Sequence, residues 1–401
     1  MPCIEQIKTM IPHLRNQFIS EFSDEKYKQF VSQLYAECGT EIPFHISETP
    51  ALFPKSLQEE LIRNAKEILE QSISPEIQQH TDRSIPDKYH VSGEEGKPHF
   101  VQIDFALTEI DGSIVPRLIE LQGFPTLYAF QYLLGKHYHN FTGLKNTHYL
   151  PGGLTDLEYL NILHGAIIGK HDPENVILLE IHPEQQKTYC DFLSTKKLLN
   201  IDPVCVTKVK KKGSDYFYEK NGRLIPIYRI YNRVIFDEWE RKNIQSEIDF
   251  KDVDSIEWIT HPNWYYRISK FILPYLNHPT VPKAFFVKGA PDHLKLESYV
   301  LKPLFSFAGL GVKVEITKED INKIPAKERD NYILQEKVDY APVLKTLDEP
   351  SKMEVRVMFI LHEGEYKCVN FLIRLSKGKM MGVDFNKNKT WVGSSGALFE
   401  R

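Results

Sequence analysis

The spacing of apolar residues changes repeatedly along this 401-residue chain, and each change predicts a different element. Residues 1–90 read as helical. KYKQFVSQLYAEC and SLQEELIRNAKEILEQSI carry apolar residues three and four apart, which lines one face of a helix. The second run follows Phe53-Pro54, and Ser56 with Glu59 matches a capping box. At 99–122 the period drops to two. HFVQIDFALTEIDGSIVPRLIELQG predicts two strands around Asp111-Gly112, a dipeptide suited to a two-residue hairpin turn. Residues 126–170 return to helix.

ENVILLEI (174–181) is a continuous apolar run, followed by helical EQQKTYCDFLSTKKLL and the strand DPVCVTKV. This strand–helix–strand order predicts a parallel, Rossmann-like sheet. A hairpin at Asn221-Gly222 leads into LIPIYRIYNRVIF. Beyond residue 255 the pattern predicts a helix over WYYRISKFILPYL and a strand at KAFFV, then YVLKPLFSFAGLGV and the strand GVKVEI. The strand NYILQEKV and the hairpin SKMEVRVMFILHEGEYKCVNFLIRL follow.

Composition, 42% hydrophobic and 26% charged, is that of a globular protein long enough for two or three packed lobes. A net charge of −4 argues against nucleic acid or a membrane surface as the main partner. KVKKKG (208–213) reads as a solvated hairpin tip. Cys3, Cys38, Cys190, Cys205 and Cys368 show no CxxC or metal spacing, and their odd number fits reduced thiols. With no apolar leader and cleavage site, and no stretch long enough to span a bilayer, the expected location is cytoplasmic.

The chemistry concentrates late in the chain. Lys302 ends an apolar strand and precedes Pro303, which holds it extended. Such a lysine either snorkels to water or meets a buried anion. In the loop after it, Gly309 and Gly311 permit close backbone approach, as phosphate binding requires. The loop is neither a Walker A motif nor a dinucleotide fingerprint. Backbone groups at Gln335, Glu336, Lys337 and Val338 suit an adenine edge. Asn370 and Arg374 share one strand face, as do Glu354 and Arg356. Two arginines and a carboxylate on neighbouring strands suit a nucleoside triphosphate with its metal. The competing reading of either pair alone is a salt-bridge ladder on an exposed sheet.

The order of these pieces resembles the ATP-grasp superfamily. More narrowly, it is similar to the circularly permuted branch that includes eukaryotic glutathione synthetase and glutathionylspermidine synthase. The motifs are VLKP (300–303), YILQEK (332–337), LIR (372–374) and WVGSSGA (391–397), and the likeness covers residues 95–401. It implies an α/β permuted ATP-grasp fold with a mixed antiparallel sheet. The implied division is a helical region (1–95), a hairpin and helices contributing metal-site residues (96–150), a Rossmann-like substrate lobe (151–250) and a nucleotide-binding lobe with a lid (251–401).

The resemblance further implies ATP-dependent carboxylate–amine ligation through an acyl phosphate. ATP and Mg²⁺ are the implied cofactors, small-molecule acids and amines the substrates, and a homodimer is allowed. Lys270 and Lys302 would hold phosphates, with Ser394 and Ser395 in a loop closing over them. Glu120, Gln122 and Glu354 would hold the metal; Arg374, Arg356 and Lys302 would act in catalysis. Asp104 matches a family aspartate assigned to substrate binding or structural support. A strict two-residue turn would aim it away from Glu120 and Gln122, and a bulge would reverse that. Arg229 and Arg233 are expected near the substrate cleft as anchors; an exposed strand of alternating charge is the other reading. Three positions depart from the family pattern: Gln122 replaces Asn, Ser306 a metal-binding glutamate, and Gln102 a substrate-binding arginine. A non-catalytic nucleotide-binding module and a phosphotransferase on the same scaffold remain alternatives.

Overall fold

The computed structural model describes residues 10–94, 96–251, 256–305, 311–382 and 385–401. Ser306 and Gly309 lie outside them. From the first half of the chain come β1 (Ala51–Phe53), β2 (Phe100–Ile110), β3 (Ser113–Gln122), β4 (Thr147–His148), β5 (Val176–Glu180) and β6 (Asp202–Cys205). A hairpin ribbon follows, made of β7 (Lys210–Lys212), β8 (Asp215–Lys220) and β9 (Arg223–Pro226), with the lysine-rich stretch at its exposed turn. Then come β10 (Arg229–Asn232), β11 (Glu257–Ile259), β12 (Ala284–Phe286), β13 (Tyr299–Pro303) and β14 (Tyr332–Glu336). The last three are β15 (Lys352–His362), β16 (Glu365–Ser376) and β17 (Gly393–Glu400).

A large sheet runs β1-β17-β16-β15-β2-β3, with β4 also on β17. One face packs Val101, Ile103, Phe105, Val355, Val357 and Phe371 against helix Lys55–Ser72. The opposite face buries Phe100, Met358, Ile360 and Leu372 among helices Asp24–Cys38, Tyr128–Thr142, Asp156–Ile167 and Tyr189–Leu199. Strands β11-β10-β5-β6 form a second, wholly parallel sheet. Strands β12-β14-β13 form a third, antiparallel one.

The β2–β3 hairpin has the two-residue turn its sequence predicts, with Asp111 and Gly112 at φ +50° and +75°. Its register nonetheless shifts. Phe105 pairs with Leu118, Ile119 is passed over, and Asp104 pairs with Glu120. This bulge lets Leu118 and Leu121, three apart, enter the same apolar core. It also turns Asp104 and Glu120 to one side, reversing what a strict count from the turn requires.

Three other predicted elements change. Helix Lys55–Ser72 starts after Pro54 without a side-chain cap, so the Ser56/Glu59 box is not formed. WYYRISKFILPYL is a short helix, Trp264–Arg267, then a 3-10 segment, Lys270–Tyr275. Pro274 lacks an N–H and its ring opposes the Lys270 carbonyl, which excludes a continuous α-helix. GVKVEI reduces to one bridge, Lys313 to Leu301.

The GSSG segment is the larger correction. Residues 393–396 begin strand β17 inside the large sheet, paired with Leu372–Leu375, and Ser395 is fully buried. The Ser394 N–H donates to the His45 carbonyl and the Ser395 hydroxyl to the Thr49 carbonyl. A Cβ on Gly393 would lie 2.4 Å from the His45 oxygen, and one on Gly396 2.7 Å from the Tyr138 ring. The small residues serve close packing rather than phosphate approach. Gly393, at φ +98°, leaves no room for a side chain. Gly393→Ala should therefore lower stability by about 2–3 kcal/mol in urea denaturation. An unchanged midpoint would mean that 393–396 is an open loop.

Candidate functional site

The bulge in β3 prepares the site. Its extra residue, Ile119, leaves a carbonyl that accepts the Lys302 ammonium at 3.2 Å. The neighbouring Leu118 carbonyl accepts the Gln335 amide at 3.3 Å, and the Leu118 N–H donates to the Thr280 carbonyl at 2.8 Å. The three-stranded sheet thus docks on β3, an edge strand of the large sheet, through the Ile119 and Leu118 carbonyls. Pro303 and the apolar run before it keep Lys302 extended and 8% exposed.

Around that junction, strand alternation brings charged side chains together. Asp104 on β2 is fully buried, between Glu120 on β3 and Arg356 on β15. Arg356 grips it with two bonds of 2.6 Å, from Nε to Oδ1 and from Nη2 to Oδ2. Its Nη1 donates to Gln102 Oε1 at 3.0 Å. Arg374 on β16 lies opposite Glu354 in register and reaches Asp104 Oδ2 at 2.5 Å and Glu354 Oε1 at 2.6 Å. Glu120 faces Lys270 at 3.7 Å and Arg356 at 3.8 Å. Four cations therefore meet three carboxylates.

The charges shape one another. Burial pushes the Glu120 carboxyl up, but Lys270, Arg356, Arg374 and Lys302 outweigh it and hold the group at about 2. Burial, against the pull of Glu120 and with the push of Lys270, brings Lys302 down to about 8. Burial raises Glu354 above the usual carboxylate range despite Arg374. Burial opposes charge on Arg374, yet Glu354, Asp104 and Glu120 lift it above its ordinary value.

The site thus gathers Asp104, Glu120, Lys270, Lys302, Glu354, Arg356 and Arg374 from five strands and the 3-10 segment. Other predicted residues fall differently. Gly311 packs at φ +75° beneath Pro303. In the hinge, the Glu336 and Lys337 N–H groups bond the Lys283 and Ser298 carbonyls, and the Gln335 side chain turns to Leu118. Val338 is the hinge residue whose N–H takes no partner among the described residues. Ser394 and Ser395 are within β17, as described. Arg229 opens β10 rather than ending it. It lies at the far end of the strand from Arg233, bonded to the Ala166 carbonyl and paired with Glu257. Arg233, just past the other end of β10, is 4% exposed and holds Asp191 at 2.8 Å. It also stacks near Phe124 and Phe192.

Two further residues take part: Gln102, which stands where the resemblance implies an arginine, and Tyr340, which lies in no motif. Gln102 accepts from Arg356 and Gln122 and donates to the Thr126 carbonyl, so both lone pairs of its buried oxygen are used. Tyr340 donates to Glu354 Oε2 at 2.5 Å. A tyrosine just beyond the hinge could have been flagged by its distance from YILQEK, but no residue type or spacing demanded it.

For a divalent cation the donors are sparse. Among the described residues no three His, Cys, Asp or Glu side chains form a ready metal cage. Asp104 and Glu354 are held by arginines, and the Gln122 amide nitrogen donates to Gln102 and to the Phe124 carbonyl. Glu120, with its side chain 28% exposed, remains. One such carboxylate fits Mg²⁺ that completes its shell with phosphate and water oxygens, not an all-protein cage. Cavities of 450 and 550 Å³ lie elsewhere, the first around Gln78, Glu94 and Arg267, the second around Lys55, Arg63 and His148.

No family model matches this sequence, and no curated protein matches it. Its fold, however, is similar to the apo structure of a glutathione synthetase-like effector from Globodera pallida. The TM-score is 0.58 at 12% identity, over 98% of this chain and 99% of that one. The chain has a glutathione synthetase-like fold. At this identity the likeness concerns architecture alone, with mixed sheets and helices arranged along nearly the whole length of both chains.

Replacing Asp104 by Asn leaves the buried Arg356 without its two-point counter-charge and Arg374 with Glu354 alone, and should cost about 3–5 kcal/mol in urea denaturation. A loss below 1 kcal/mol would show the pairs to be solvated. For Lys302, the folded chain releases the proton near pH 8, whereas an unfolded lysine keeps it to about 10.4. Folding then disfavours the charge below pH 8, and this penalty fades as pH rises to 10. The stability gap between Lys302→Met and wild type should shift in favour of wild type over that window. A constant gap would contradict a depressed Lys302.

Proposed function

We propose that this chain is an ATP-dependent carboxylate–amine ligase. The observation that carries the reading is Lys302, a buried ammonium set by the β3 bulge against Glu120 and beside Lys270, Arg356 and Arg374. A cluster with more cations than carboxylates, at a junction between two sheets, suits a polyanion such as a nucleoside triphosphate.

In this reading, Lys270 and Lys302 bind and orient the phosphates, and the Val338 backbone receives the adenine edge. The substrate carboxylate attacks the γ-phosphorus, the bond to the β-phosphate oxygen breaks, and ADP leaves. The amine then attacks the acyl carbon, phosphate departs, and the amine loses a proton as the amide forms. Arg374, with its side chain 37% exposed, faces the reacting groups and stabilises the phosphoryl charge, while Arg356 stays locked on Asp104. Glu120, with Gln122 once its amide turns, would hold Mg²⁺, which when bound neutralises phosphate charge. The Gln102 side chain is wholly buried and turned to Arg356, Gln122 and Thr126, so it does not reach out to a second carboxylate and a glutathione-type acid is not the proposed substrate.

A second reading, a nucleotide-binding module without turnover, is favoured by one observation: Asp104 and Glu354 are both already bound to arginines. A screen of ADP release over amino acids, peptides and polyamines separates the two. Ligation predicts release that requires both an acid and an amine and is lost in Lys302→Ala and in Arg374→Ala. Full activity in either variant overturns the assignment; nucleotide binding with no release across the panel selects the second reading.

A further inference from the structure

The hydroxyl of Tyr340 touches the site from an element that no motif includes. Tyr340 follows β14, and the next residue ties this segment to the large sheet through the Ala341 N–H and the Leu107 carbonyl at 2.9 Å. From there the hydroxyl donates to Glu354 Oε2 at 2.5 Å, while Glu354 Oε1 receives Arg374 at 2.6 Å. Burial and the Glu354 charge keep the Tyr340 hydroxyl protonated far above neutral pH, so it serves Glu354 as a donor.

Arg374 is held between two carboxylates by one nitrogen, Nη2, and its buried Nε has no hydrogen-bond partner among the described residues. Its direction therefore depends on how firmly each carboxylate is fixed. Asp104 is fixed by two bonds from Arg356. Among the described residues, Glu354 has only Tyr340 as a second side-chain anchor. We infer that Tyr340 is a positioning residue that sets Arg374 through Glu354, so that the guanidinium faces a phosphoryl group in flight. The inference rests on the ligase reading, in which Arg374 meets that group. It also couples the segment beyond the hinge to the catalytic arginine: a nucleotide that orders the hinge orders Arg374.

The test is calorimetric, with wild type, Tyr340→Phe, Glu354→Gln and the double variant. Each is titrated with Mg²⁺–ADP, and with Mg²⁺–ADP plus aluminium fluoride, which imitates the transferring phosphoryl group. Tyr340→Phe should bind ADP within about twofold of wild type and lose about tenfold for the fluoride complex, the worth of one hydrogen bond to a charged group. Glu354→Gln should show at least the same selective loss, and the double variant should lose no more than Glu354→Gln alone. Equal affinities of Tyr340→Phe and wild type for the fluoride complex overturn the positioning role. A parallel loss for both ligands with a lowered melting temperature also overturns it, in favour of a structural role. If wild type binds neither ligand, the nucleotide reading falls and takes this role with it.

Discussion

Asp104 is the interaction on which the rest of the site depends. Its carboxylate lies wholly inside the protein and collects Arg356 from β15 and Arg374 from β16. A buried carboxylate is tolerable only with paired charge and well-made hydrogen bonds. Arg356 supplies both through a two-point grip, and that grip fixes the register at which β2 and β15 present their polar face. Arg374 is then free to share itself between Asp104 and Glu354 at the edge of the cluster. The same carboxylate that neutralises one arginine thus leaves the other facing outward, with Lys302 and Lys270 completing a positive surface around Glu120.

That arrangement needs the β3 bulge. Without the extra residue at Ile119, Asp104 and Glu120 would stand on opposite faces, and the Ile119 carbonyl would not be available to Lys302. One inserted residue therefore does two things: it aligns the carboxylates and provides a docking point for the sheet that carries the lysine. Bulges often re-aim side chains beside functional sites, and here the effect can be traced atom by atom.

How much of this was legible in the sequence follows from the range of the forces involved. The Asp111-Gly112 turn, the long β15–β16 hairpin and the parallel pair β5–β6 are written in local periodicity, and all are present. The bulge is not local: it arises because Leu118 and Leu121 must both enter a core formed with distant Phe105 and Val355. Alternation alone could only pose the alternative. GSSG looked like a phosphate loop because glycine and serine serve both close backbone approach to a ligand and close packing; the contacts with His45 and Tyr138, far away in the chain, decide for packing. Arg229 and Arg233 were expected together near one cleft, but β10 spans only Arg229–Asn232 and sets the two at opposite ends, a separation that the short run of alternating residues did not specify. Tyr340 was invisible, since its role comes only from the fold.

At 12% identity to the effector, it is the layered architecture that persists while side chains differ. Gln102 illustrates how the present chain closes its own network: its buried amide bridges Arg356, Gln122 and Thr126. The more exposed members of the cluster are Arg374 and Glu120, and under the proposed reading a ligand meets the site there. The most direct test is a crystal structure with a non-hydrolysable ATP analogue and Mg²⁺. The account predicts the phosphates within hydrogen-bonding distance of Lys302 and Lys270, beside Glu120, with the base against Val338. A nucleotide bound in either of the two cavities outside the cluster, or no nucleotide at all under saturating conditions, would contradict it.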